Sequence, residues 1–162
     1  MIRIAPTLGA VLVTALATAA PAATAAPTLN HFERAVIRGL NDARAQQGLG
    51  PVCALRPLNR AADRHSQDML RSDFFDHPSS DGTPFDRRVR RFFDARMVGE
   101  TLASLPRRRG GAAVVVQMWM NSAVHRAIVL EPGFRRIGVA RRWGTLGAQR
   151  NAVVTADFAS GG

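Results

Sequence analysis

Trp119-Met120-Asn121-Ser122-Ala123-Val124-His125-Arg126-Ala127-Ile128-Val129-Leu130 is the stretch on which the fold of this chain turns. It closes a helix expected from Ala112 to Asn121, in which Val115, Met118 and Trp119 are spaced to face a core. A second, short helical turn follows and carries His125. An imidazole placed there, near the end of a helical segment, is available to a ligand.

Upstream, Met97 to Ser104 reads as a strand or extended segment carrying Gly99-Glu100, followed by the polar turn Pro106-Arg107-Arg108-Arg109-Gly110-Gly111. Glu100 is the only acid between Met97 and Leu105. An unpaired carboxylate in such an apolar segment is costly to bury, so Glu100 needs a partner. The preceding segment, Phe74 to Pro84, is dense in turn formers and places His77 on a loop. Pro84 opens a third helix to about Ala95. Its Phe85, Val89, Phe92 and Phe93 point inward, and Arg87, Arg88, Arg90 and Arg91 form a solvated face.

Nearer the N-terminus, Phe32, Val36, Ile37 and Leu40 define a helix from His31 to Gln47, with Asn30 as its cap and Gly48 and Gly50 ending it. After a connector from Pro51 to Pro57, Leu58, Ala61, Ala62, His65, Met69 and Leu70 share one face of a second helix that ends near Asp73. Downstream, Ile137 to Trp143 and Asn151 to Phe158 form a strand pair joined by Gly144-Thr145-Leu146-Gly147-Ala148. Helices followed by late strands predict a single α+β domain with sandwich architecture.

The 162 residues suit one core, and an apolar fraction of 46% argues against a disordered chain. Residues 1–25 read as a signal peptide: basic Arg3, an apolar run through Leu16, and Ala23-Thr24-Ala25 as the cleavage site. The mature domain then covers 26–162, with its core at about 32–159, and is exported to the extracellular space or periplasm with no transmembrane segment. Cys53 is the lone cysteine, so no internal disulfide forms. All 22 basic residues are arginine and the net charge is +10, which favours weak contact with anionic surfaces. Nucleic acid is not an expected partner, because the arginines are scattered without interleaved aromatics.

Of the four histidines, His31 at a helix start and His65 on an inward face read as capping or packing residues. His77 and His125 are the two open to a ligand. With Glu100 they make two imidazoles and one carboxylate from three segments, a donor set able to form an open divalent-metal site. Their spacing matches no compact metal motif.

The ordered series Phe75-Asp76-His77, Gly99-Glu100-Thr101-Leu102-Ala103, Trp119 to Leu130 and Ile137-Gly138-Val139, preceded by Asn41-Asp42-Ala43-Arg44, resembles the motifs of bacterial CAP domains. These domains belong to the cysteine-rich secretory, antigen and pathogenesis-related proteins. The resemblance runs from Asn41 to Phe158 and implies an α-β-α sandwich with a cleft lined by a His/Glu tetrad. His77, Glu100 and His125 match three tetrad positions, and Ser122 stands where many eukaryotic members carry a second glutamate. Val124 replaces a glycine, Ile128 a polar residue and Thr101 an asparagine of the family pattern. Losing polar groups around the histidines removes hydrogen bonds that orient the rings, so a metal such as zinc on His77 and His125 is expected to bind weakly or not at all. The first reading is a secreted binding module for a small lipid-like, amphipathic or envelope-derived ligand, and the resemblance implies lipid binding for some relatives. The alternative is a metal-dependent hydrolase, in which His77 and His125 hold the metal and Glu100 acts as base. A third reading has the tetrad residues only packing the cleft.

Overall fold

A computed structural model describes residues 28–106 and 111–161; the signal peptide expected at 1–25 and the arginines of the 106–111 turn lie outside the described residues. The element order is α1 (His31–Ala45), β1 (Cys53–Ala54), α2 (Arg56–Arg71), α3 (Phe85–Arg90), β2 (Val98–Pro106), α4 (Ala112–Asn121), α5 (Ala123–Val129), β3 (Phe134–Leu146) and β4 (Gln149–Ser160). The four strands form one sheet in the order β1-β3-β4-β2, with β1 parallel to β3 and the other neighbours antiparallel.

β4 is buried without interruption from Ala152 to Ala159, the signature of a strand covered on both faces. Side chains alternate along a strand, so its two faces serve two layers. Val154, Ala156 and Phe158 enter a core with α1 and α4, through Phe32, Val36, Leu40, Val115 and Trp119. Val153, Thr155 and Ala159 turn the other way, toward α2. There Val153 meets Met69, the Thr155 hydroxyl bonds Ser66 at 2.8 Å, and Ala159 meets Leu58. The result is the α-β-α sandwich.

Gly138 on β3 makes the α2 contact tight. A Cβ at this position would lie 2.0 Å from the backbone carbonyl carbon of Leu58, so only glycine lets the helix settle on the strand. The β3–β4 connection is a two-residue turn, Gly147-Ala148, shorter than the five residues expected. Gly147 has φ +58°, a value glycine takes without steric cost.

Several expectations shift at their edges. The first helix ends at Ala45, and Asn30 caps it through a reciprocal box with Glu33. The second begins at Arg56, because Pro57 fits a first helical turn, and the connector before it contributes β1. The third stops at Arg90 rather than about Ala95. Met118 was expected inside but is 41% exposed, since α4 turns Val115 and Trp119 to the core. The arginines of α3 do not all stay wet: Arg88 is buried, which changes the site.

Candidate functional site

Glu100 lies near the start of β2, an edge strand of the sheet, and its alternation with Gly99 and Thr101 puts its side chain on the α2 face. It is 1% exposed, and three side chains surround its carboxylate. His77 Nδ1 lies 2.8 Å from Oε1. Arg88 Nη2 donates to Oε2. His65 Nε2 lies 3.9 Å from the same oxygen. Burial pushes the Glu100 carboxyl up, but the His77 hydrogen bond and the Arg88 charge outweigh it and hold the group below its ordinary 4.5.

An ionised carboxylate only accepts, so His77 carries its hydrogen on Nδ1 and keeps Nε2 free. The bond to Glu100 raises the His77 pKa above its ordinary 6.5. The loop is clamped around this ring. Asp76 accepts from the His77 amide at 2.7 Å, and Arg88 Nη1 donates to the His77 carbonyl at 2.7 Å. Arg88 thus ties carboxylate and loop together. His65, on the inward face of α2 as expected, has its Nε2 3.0 Å from the Asp76 carbonyl, and burial lowers its pKa.

Asp157 pairs with Glu100 across β2 and β4 and is fully buried. Neither of its oxygens receives a hydrogen bond in the ionised state. Burial first and the Glu100 charge second push its carboxyl well above the ordinary 3.8, which favours the protonated form beside Glu100.

The cleft beside this cluster has a volume of about 490 Å³. His77 and Glu100 form its polar end. Phe85, Met97, Val98, Ile128 and Phe134 provide apolar wall, and Glu131 also lines it. Gly99 keeps its floor open, since a Cβ there would meet Phe134 at 2.7 Å and Ile128 at 3.1 Å.

His125 is half-buried on α5, and its pKa is lowered by burial and then by the charge of His77. Ser122 sits at the α4–α5 junction, where its side chain makes no capping hydrogen bond. Both lie beyond the residues that line the cleft. His31 is exposed at the start of α1, and Cys53 is a free, exposed thiol. The donors a metal would find are His77 Nε2 and the His125 ring, because both Glu100 oxygens are engaged. Among the described residues no group of three or more His, Cys, Asp or Glu side chains is arranged to hold a metal ion. That falls short of the three protein ligands typical of catalytic zinc.

Sequence reading missed Arg88 and Asp157. Arg88 falls three residues after Phe85 and four before Phe92, on the apolar stripe of its own helix. Asp157 is a lone acid in an apolar strand, the same signal that singled out Glu100.

The model of the cysteine-rich secretory protein family matches residues 37–157, and the chain belongs to that family, whose domain this fold is. It is similar to the YkwD protein of Bacillus subtilis, with 36% identity over 118 residues covering 72% of this chain. Those residues make up 45% of that protein, so the chain spans less than half of its relative. In structure it resembles an extracellular SCP-domain protein of Bacillus anthracis, with TM-score 0.67 and 22% identity over 80% of this chain and 40% of that one. It also resembles an outer surface protein of Borrelia burgdorferi, with TM-score 0.65 and 18% identity over 79% of this chain and 92% of that one. Among the described residues no helix is long and apolar enough to cross a membrane.

Proposed function

We propose that this chain is an exported binding module that takes a small amphipathic, envelope-derived ligand in the cleft beside His77. The observation that carries the reading is the asymmetry of that cleft. One end offers an imidazole with a free Nε2 and a raised pKa, and the remaining wall is largely apolar. A head group that accepts from His77 and a single acyl chain along Ile128 and Phe134 match both ends.

Binding is favoured over metal-dependent hydrolysis by the state of Glu100. A general base works best with a pKa near the working pH. Glu100 is held in the opposite direction, with both oxygens already accepting hydrogen bonds.

Myristate tests the cleft. Calorimetry should show saturable 1:1 binding, weakened roughly tenfold in His77→Ala by loss of the charge-assisted bond. Ile128→Lys, which sets a charge on the apolar wall, should abolish it. No saturable heat with the unmodified protein would reject the reading.

Export is checked at the other end of the chain. Material recovered from outside the cytoplasm should begin at Ala26 on N-terminal sequencing. Recovery only as cell-retained protein starting at Met1 would contradict release.

A further inference from the structure

A second cavity, of about 510 Å³, lies against α2 and α3, and its lining differs in kind from that of the apolar cleft. Four arginines line it: Arg64 and Arg71 from α2, Arg88 from α3, and Arg91 just beyond α3. Two acids share the wall, and both already accept hydrogen bonds. Asp68 takes the Ser80 amide at 2.9 Å and the Ser80 hydroxyl at 2.7 Å, and Asp81 takes the Thr83 amide at 2.9 Å. With the charge of Arg88 already met by Glu100, three cations face two anions.

The cations are placed without full partners. Arg64 spreads over the Phe92 ring at 5.2 Å, a contact that leaves its N–H groups free to donate. Arg71 has only a long bond, 3.5 Å, to Gln67. Arg88 is nine-tenths buried, yet its Nε has no acceptor although its two other nitrogens do. That Nε is closed off from solvent, so the guanidinium groups an anion in the cavity can reach are those of Arg64, Arg71 and Arg91.

We infer that this cavity is a binding site for a phosphate group, recognised by Arg64, Arg71 and Arg91 with Arg88 behind them. Forked guanidinium groups suit the several oxygens of a phosphate better than the single charge of chloride. The inference is independent of what occupies the apolar cleft, although Arg88 touches both: it lines this cavity and donates to His77 and Glu100, which line the other.

Inorganic phosphate is the probe, added to the full exported protein at constant ionic strength and followed by amide NMR. Saturable shifts should appear at Ser79, Ser80 and Arg91 and carry through to His77. Arg64→Gln/Arg71→Gln should weaken binding by roughly tenfold or more, as expected for lost charge-assisted hydrogen bonds. Both side chains are exposed, so the fold should survive. Arg38→Gln/Arg136→Gln removes the same charge from exposed sites outside the cavity and should leave the affinity unchanged. Equal weakening in both double variants would reduce the effect to net charge and overturn the proposal.

Vesicles of phosphatidylcholine with or without phosphatidic acid separate the sources of the group. Recruitment by phosphatidic acid that is lost in Arg64→Gln/Arg71→Gln assigns a lipid headgroup. Saturable phosphate binding without recruitment assigns a soluble phosphate. Absence of both responses would overturn the site.

Discussion

Arg88→Met should destabilise the protein by about 3–5 kcal/mol, the usual cost of removing one partner from a buried ion pair. Methionine keeps much of the volume and removes the charge, so the loss is electrostatic rather than a cavity effect. Glu100, 1% exposed, would be left with His77 as its chief counter-charge, and the His77 carbonyl would lose its clamp. Guanidinium unfolding measures the loss. Glu100→Gln in the Arg88→Met background should recover part of it, because the stranded charge is then gone. A single-variant loss below about 1 kcal/mol, typical of an exposed pair, would show that this ion pair does not hold the loop to the sheet.

Asp157→Asn should remove the fall in stability with rising pH that the buried acid contributes. The Asp157 carboxyl is raised in the folded state, so its favourable contribution is complete below 3.8, the unfolded value. Above that pH the unfolded chain releases this proton first. Stability then falls as pH rises toward the folded pKa, with a limiting slope of about 1.4 kcal/mol per pH unit. Glu100 acts oppositely: its carboxyl is lowered, so its contribution is present above 4.5 and is lost as pH falls through the folded value. His65, lowered by burial, adds a rise with pH that is complete by about 6.5, and His77, raised, adds a fall above it. Those contributions are common to both proteins, so the readout is the difference between them. Asparagine cannot ionise but can still donate to Glu100. Denaturation midpoints from about pH 5 to about pH 8 should therefore fall less steeply, or rise, in the variant. Parallel profiles would show that Asp157 is ionised in the folded protein.

Much of this architecture is legible in the residues because local signals agree with the final packing. Asn30 with Glu33, Pro57 at the head of α2 and the apolar stripes of α1 and α2 all point to the elements that form. The pairing of His77 with Glu100 follows from one argument, that a lone acid in an apolar strand needs a partner. What escapes is the partner with the strongest charge. In the run from Arg87 to Arg91, hydrophilicity suggests a wet face, but α3 is anchored at Phe85 and Val89, and Arg88, three residues after Phe85, shares their face and turns inward. Asp157 escapes for a different reason. Its value to the site depends on strand register, which brings two acids opposite one another from positions 57 residues apart (157 − 100). The length of α3 is misjudged because Phe92 and Phe93 continue the apolar pattern into a turn, where Phe93 packs on the core without being helical.

The alternation along β2 and β4 has one more outcome. Sliding β2 by a single position would turn Glu100 into the oily layer under α4 and α5 and bring Gly99 or Thr101 before the Arg88 fork. Closing the hydrophobic interior and assembling the polar cluster are therefore one decision for the folding chain. A misaligned molecule would fail at both together, so the protein has no route to a well-built core that carries a miswired cleft.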